Sequence, residues 1–443
     1  VLMKYNIKNI SPIDGRYSNQ ISHLSEYFSE YALIKERVKI EILYIKQLSE
    51  WGICTIPSIN LLDSIYLNFN ENEANIIKEI ENKTNHDIKA IEYYIKRKMK
   101  YLSLSDYTQW IHFGLTSQDI NNTAVPCLWL RFITDLYIPT LQTLIVKLKT
   151  LAYTWWKVPM LSRTHGQPAS PTTMGKEIMV FVERLENQII LLNNIPHTGK
   201  FGGAVGNFNA HYIAFPKINW NHFADEFLKQ KLSLKRQQYT TQIEHYDNLS
   251  ASFDTLKRIN TILLDLSKDM WQYISYGYFK LETKEDEIGS SVMPHKVNPI
   301  NFENAEGNLG IANANFEFLS SKLPVSRLQR DLSDSTAIRN IGVPIAHTFI
   351  ALNSINTGLK RLVIDKHVMS SELENNWCVI TEAIQTILRR EGHADSYEIV
   401  KSFSKSFVNK EKIRKFISEL DIKDSVKTEL LNIVPQTYLG TLL

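Results

Sequence analysis

Apolar residues recur along most of this chain three and four positions apart, the spacing of amphipathic helices, and alternating strand patterns are scarce. Tyr27, Phe28, Tyr31, Leu33, Ile34, Val38, Ile42 and Ile45 set the period of a first helix from Ser25 to Glu50, which Trp51-Gly52 ends. After Pro57, the stretch from Ile59 to Ile95 predicts two more helices, the second carrying the polar cluster Thr84-Asn85-His86-Asp87. Leu141, Leu144, Ile145, Leu148, Leu151 and Trp155 share one helical face, and Ile178, Phe181, Val182, Leu185, Ile189 and Leu192 share another. Phe253, Leu256, Ile259, Leu263, Leu266, Met270 and Ile274 make a third, and Leu309 to Leu323 a fourth. Apolar residues also fall off these stripes, so the helices need partners on more than one side. The pattern predicts an all-α protein, an elongated bundle of long helices enlarged by self-association.

The same pattern divides the chain into an N-terminal helical domain (1–105), a central long-helix bundle (106–359) and a smaller, more charged C-terminal helical domain (360–443). Polar connectors rich in glycine and proline separate the long helices: Ser162 to Pro171, Gly199 to Asn209, and Gly289 to Pro299. The uncharged run Asn340 to Leu359 contains Pro344, His347 and several Asn and Ser residues, and reads as a buried bundle helix rather than a membrane span. With 44% apolar and 22% charged residues and a net charge of +3 over 443 residues, composition is that of a soluble globular protein. It gives no bulk electrostatic case for nucleic acid or membrane.

Cys54, Cys127 and Cys378 lie too far apart for a disulfide framework or a thiolate metal site. There is no H-E-x-x-H, no phosphate-loop motif and no G-x-G-x-x-G after a strand, so neither metal nor cofactor is expected. The run Gly202-Gly203-Ala204-Val205-Gly206-Asn207 lies between helices and reads as close packing or a turn near a site. The first residues lack an apolar core followed by a small-residue cleavage site, which makes the cytoplasm the expected address.

The densest chemistry lies in Gly289-Ser290-Ser291-Val292-Met293-Pro294-His295-Lys296-Val297-Asn298-Pro299, two hydroxyls, an imidazole, an ammonium and an amide between a glycine and a proline. A loop on a rigid helical scaffold can present such groups to a substrate. A second connector, Ser162-Arg163-Thr164-His165-Gly166-Gln167-Pro168-Ala169, concentrates Arg, Thr, His and Gln between two good helices. The first string resembles the signature of the fumarase/aspartase superfamily, lyases that eliminate fumarate from a succinyl group. Its M-P-H-K form, with His295, and the R-T-H-G-Q-P run both resemble the adenylosuccinate lyase family within it. The T-N-H-D cluster and Thr116-Ser117 match further motifs of that family, and the resemblance is densest between Thr84 and Asn340.

The resemblance implies three helical domains, a homotetramer whose active sites draw on three subunits, and the substrates adenylosuccinate and the succinylcarboxamide ribotide SAICAR, with no nucleic acid or membrane partner. β-Elimination needs a base for a proton beside a carboxylate, an acid for the departing nitrogen, and cations or amides for the charge building on the carboxylate. Resemblance makes Ser290 the base, and from the residues alone Ser291 and His295 remain rivals, histidine having the better unperturbed pKa. His165 would be the acid. Asn85, His86 and Asp87 would orient the substrate, and Thr116 and Ser117 would hold the succinyl carboxylate. Gln118 departs from the Glu or Asn of related enzymes, which leaves that side chain without an assigned part. Arg16-Tyr17, and Arg330, Ser335, Thr336, Ala337, Ile338 and Arg339, resemble the phosphate site. Ser291, Lys296, Val297, Asn298, Asn304 and Gln242 complete the expected contacts. Two alternatives stay open: a fumarate-releasing lyase with another leaving group, and a structural relative without activity.

Overall fold

The computed structural model describes residues 7–282, 293, 296–404 and 408–441. Its backbone is overwhelmingly helical, with three two-stranded pairings among the described residues. The chain divides into two compact units, each built from three stretches: residues 1–141, 188–261 and 307–353 form the first, and residues 142–187, 262–306 and 354–443 the second.

The first unit is centred on the helix Glu30–Glu50. Ser29 starts it by accepting a hydrogen bond from the Ala32 amide at 3.1 Å, and Gly52, at φ +67°, lets the chain turn away after Trp51. The break at Ser29 divides what periodicity joined, because the extended Ser29 separates Ser25–Phe28 from the longer helix. Ile34, Val38, Ile40, Ile42, Tyr44, Ile45 and Leu48 are all buried, so the helix is covered nearly all round. It packs against Ser117–Arg131, Glu71–Thr84 and Asp87–Tyr101. Aromatic rings close the other end of this core: Tyr44 lies edge-on to Phe201, Phe223 and Phe227 at 5.5 to 6.0 Å between ring centres.

The second unit holds an antiparallel hairpin, Pro159–Thr164 with Gln167–Thr173, where the sequence pattern gave only a connector. Prolines at 159, 168 and 171 and a bulge between Met160 and Ser162 break the alternation by which a strand is recognised. The hairpin's Leu161 is buried in a core with Leu373, Trp377, Ile380 and Ile384 from the C-terminal helices. A second strand pair, Phe279–Leu281 with Leu362–Ile364, leads into the helix Lys366–Glu374.

The long helices are Ile138–Thr154, Met174–Asn193, Asp247–Ser275, Ile300–Lys322 and Gly342–Lys360, and they supply residues to both units. Their predicted apolar stripes are buried at Leu141, Leu148, Ile178, Leu185, Leu256, Leu263, Leu309 and Phe316. No described helix is long and apolar enough to cross a membrane. The expected domain boundary at 105/106 falls in the short 3-10 segment Ser105–Trp110, and that at 359/360 at the end of Gly342–Lys360.

Gly175, in the first turn of Met174–Asn193, sits against the end of the preceding long helix, where an added Cβ would lie 2.3 Å from the Ala152 carbonyl oxygen and 2.6 Å from Trp156 Cα. Neither backbone atom can yield like a side chain. Gly175→Ala should therefore cost at least the roughly 1–3 kcal/mol of an overpacked site, read as a lowered denaturation midpoint; an unchanged midpoint would mean the two helices separate freely.

Candidate active site

In the first unit the T-N-H-D cluster lies at the joint between two helices rather than inside one. Asn85 ends Glu71–Thr84 in the left-handed region (φ 53°), and His86 caps the next helix, its Nδ1 accepting from the Lys89 amide at 3.2 Å. Asp87 then accepts from the Ile88 amide at 2.8 Å and from Arg37 Nη2 at 2.9 Å, with Arg339 Nη2 at 3.7 Å. Burial alone would raise the Asp87 carboxyl, but Arg37, the Ile88 amide and Arg339 together hold it below its ordinary value. Arg37, Asp87 and Arg339 face a cavity of about 300 Å³ walled by Tyr27, Phe28, Leu33, Leu128 and Trp129. A wider cavity of about 570 Å³ shares Phe28 and Arg339 and reaches Asp14 and Ser18, on either side of the exposed Arg16 and half-buried Tyr17.

Thr116 and Ser117 open the helix Ser117–Arg131, and their place is fixed by Asp119. This fully buried carboxylate accepts from the Thr116 amide at 2.8 Å, Lys200 Nζ at 2.7 Å, the Gly202 amide at 2.9 Å and the Gly203 amide at 3.1 Å. The glycine run thus supplies amides to a buried carboxylate. A Cβ on Gly202 would meet the backbone of Gly206 at 2.9 Å, so a side chain there would push the loop open.

The residue left unassigned by sequence, Gln118, is buried against the predicted phosphate residues. With its amide oxygen turned to the guanidinium, it accepts from Arg330 Nη2 at 2.7 Å and Nη1 at 3.1 Å. Arg330 also donates to Ser335 Oγ at 2.7 Å and lies 3.4 Å from Asp334 Oδ1. Gln242 ties the glycine run to this cluster, donating from its side chain to the Ala204 carbonyl at 3.1 Å and from its amide to the Gln329 carbonyl at 3.3 Å. Ser335, Thr336, Ala337 and Ile338 lie on the short helix Ser333–Ile338, which Arg339 follows; Thr336 is exposed, Ala337 buried, and Ile338 lines the smaller cavity.

In the second unit His165 stands at the tip of the hairpin. Thr164 pairs with Gln167, so His165 and Gly166 form a two-residue turn, with φ of 53° and 75°. The imidazole is exposed. Lys296 is exposed, Val297 and Asn298 are half-buried, and Pro299 leads into Ile300–Lys322, on which Asn304 Oδ1 accepts from Ser354 Oγ at 2.8 Å. Ser290, Ser291 and His295 lie outside the described residues.

Two further histidines were given no role by sequence reasoning. His112, at φ 55° four residues before Thr116, has its Nδ1 2.6 Å from Glu41 Oε1. Burial would lower its pKa, but the Glu41 charge outweighs that and raises it. Its place in the I-H-F-G-L-T-S run was the available signal; its partner, 71 positions earlier, left none. His211 is buried beside Trp220, ring centres 4.7 Å apart, and burial pushes it down to about 4. Nothing in the sequence pattern marked it.

A family model described as Lyase matches residues 15–312, and one described as Adenylosuccinate lyase C-terminal matches residues 326–439. The chain is 52% identical to an adenylosuccinate lyase of Dictyostelium discoideum over 98% of its length and 97% of the relative's. It is 45% identical to that of Legionella pneumophila (strain Corby) and 43% to that of Escherichia coli (strain K12), each over 97% of this chain and 96% of the relative. Among solved structures it resembles 3-carboxy-cis,cis-muconate lactonizing enzyme from Pseudomonas putida (TM-score 0.73, 19% identity, 95% of this chain and 94% of that one). It also resembles β-carboxy-cis,cis-muconate cycloisomerase from Acinetobacter calcoaceticus (TM-score 0.71, 18% identity, 95% of both chains). At such identity the likeness is one of fold.

Behind the Arg330 cluster lies a buried network with a titratable end. The Tyr246 hydroxyl donates to Asp334 Oδ2 at 3.0 Å, and Glu244 accepts from the Tyr246 amide at 2.6 Å, the Thr198 hydroxyl at 2.8 Å and Gln237 Nε2 at 2.7 Å. Burial pushes the Glu244 carboxyl up to about 7 against the pull of those donors. With a raised folded pKa, its stabilising contribution is full below the unfolded value of about 4.3 and is lost as pH rises to the folded one. Between pH 4.5 and 7.5 the protein should lose on the order of 3 kcal/mol of stability relative to Glu244→Gln, measured by urea denaturation. A pH-independent difference would mean that Glu244 is ionised throughout.

Proposed function

The chain belongs to the adenylosuccinate lyase family, and from that premise we propose how its own residues divide the chemistry. The reaction is the β-elimination of fumarate from adenylosuccinate, leaving AMP, and from SAICAR, leaving AICAR. Ser290 takes the proton beside the carboxylate, and His165 protonates the departing nitrogen. A serine can act as base only where its anion is stabilised and water excluded, and Lys296, six positions on, is a cation that can serve it. An imidazole delivers a proton near neutral pH.

What carries the binding half of this reading is the Arg330 cluster. Its guanidinium is already bonded to Gln118 and Ser335, and the start of the Ser117–Arg131 helix presents Thr116 and Ser117 beside Gln118. A fixed guanidinium with hydroxyls and helix-start amides suits phosphate and carboxylate oxygens. Arg16, Tyr17 and Arg339 would complete the anion contacts, and Asn85, His86 and Asp87 would orient the substrate. Lys296, Val297, Asn298, Asn304 and Gln242 complete the site.

We place the working enzyme as a homotetramer with shared active sites. Val146, Ile190, Leu191, Ile311 and Phe318 leave large apolar side chains exposed on three of the long helices, and self-association would cover them. The three cysteines are free, in keeping with a reducing cytoplasm.

The purified protein should release fumarate from adenylosuccinate and not from argininosuccinate or malate. Ser290→Ala and His165→Ala should each abolish turnover with helical content unchanged. If Ser290→Ala kept most of its activity, Ser291 or His295 would replace it as base. Arg330→Ala should raise KM for adenylosuccinate roughly 10- to 100-fold, the worth of hydrogen bonds to a charged group, and an unchanged KM would remove Arg330 from the phosphate site.

A further inference from the structure

The His165 turn is held from the C-terminal helices by a carboxylate to which no part has been assigned. Arg163, on the strand Pro159–Thr164 two residues before His165, donates from Nη1 to the carbonyl of Gly166, the other residue of the turn, at 3.4 Å. Its Nη2 donates to Glu372 on the helix Lys366–Glu374, and its guanidinium lies over the Tyr276 ring, 5.3 Å from the ring centre. The second Glu372 oxygen accepts from the Tyr278 hydroxyl.

Glu372 is itself well fixed. Asp365 caps its helix, accepting from the His367 and Val368 amides at 3.1 Å, and donates from its own amide to the Tyr278 carbonyl at 2.8 Å. The next residue, Leu373, is fully buried in the core that receives Leu161 of the hairpin. The return strand has its own tie, Ser170 donating to Glu382, which also accepts from the Tyr438 hydroxyl at 3.0 Å.

The geometry points to Glu372 as a positioning residue for His165, acting through the Arg163 guanidinium on the backbone of the turn. This inference rests on the reading of His165 as the general acid. A two-residue turn with a histidine in the left-handed region is strained, and the exposed imidazole takes its direction from the backbone beneath it rather than from packing. The planar fork of Arg163 reaches the turn and the Glu372 carboxylate together, which fixes that backbone as a point charge could not. A misplacement of about 1 Å at a group that transfers a proton can cost about 10²-fold in rate.

The test is steady-state fumarate release by the full-length protein. Glu372→Gln keeps the shape and removes the charge. It should lower kcat at least fivefold with KM within twofold, because the substrate's anionic groups are held elsewhere, and Glu372→Asp, which restores the charge, should recover most of that loss. Arg163→Lys should lower kcat likewise, and it decides the matter if Glu372→Gln does not fold. A kcat change under fivefold, a loss shared with KM, or no recovery in Glu372→Asp overturns the inference. His165→Ala separates the two ideas: retained activity there means the acid is wrongly assigned. Lost activity there, with Glu372→Gln at the parent rate, means the acid is right and Glu372 does not position it.

Discussion

The first unit is organised around a buried charge pair. Asp119 and Lys200 are both fully excluded from water, 2.7 Å apart, and 81 positions separate them in sequence. Desolvating two such charges costs several kcal/mol each, and a pair of this kind rarely repays that in net stability over an apolar substitute. Its effect here is on geometry. Asp119 spends its remaining acceptor capacity on the amides of Thr116, Gly202 and Gly203, so one carboxylate sets the start of a helix and the path of a glycine loop at once. Any slip of either segment would leave a buried charge without its partners, and that penalty holds Thr116, Ser117 and Gln118 in one arrangement.

The same logic extends outward through neutral groups. Asn122, one turn along the helix from Asp119, donates to the Tyr246 hydroxyl at 2.7 Å and accepts from the Glu244 amide at 2.9 Å, and Tyr246 in turn reaches Asp334 beside Arg330. Arg330 pairs with the buried Asp334 at 3.4 Å and is otherwise held by the neutral Gln118 and Ser335. Gln118 directs the guanidinium through its amide oxygen and adds no second carboxylate to it.

Much of this was legible in the sequence, and the limits of legibility have physical causes. The long helices announced themselves because one face of each is buried, and Phe253, Leu256, Leu263 and Met270 repeat at 3.6 residues for that reason. The site motifs were visible through their resemblance, and Asp87 with Arg339, and Arg330 with Ser335, do come together. Short-range chain reversals were not visible. The T-N-H-D joint looked like a helix interior, since nothing in periodicity marks the left-handed Asn85. The hairpin at Pro159–Thr173 was hidden by its prolines. The pairings Asp119–Lys200, His112–Glu41 and Arg163–Glu372 span 71 to 209 positions, and no local pattern encodes a partner at that range.

Asn85, His112 and His165 are among nine described non-glycine residues with a positive φ, a conformation that a side chain disfavours. Such strain persists only where the surroundings over-determine the backbone. At Asn85 the flanking helices do so; at His112 the Glu41 carboxylate does; at His165 the turn is two residues long and solvent-exposed, so hydrogen bonds to the strands must supply the constraint. At His112 and at the His165 turn, an ion pair or a salt-bridged arginine thus stands beside a strained backbone. The long helices supply much of the buried apolar surface, while carboxylates such as Asp119 and Glu41 tie backbone segments distant in sequence to one another.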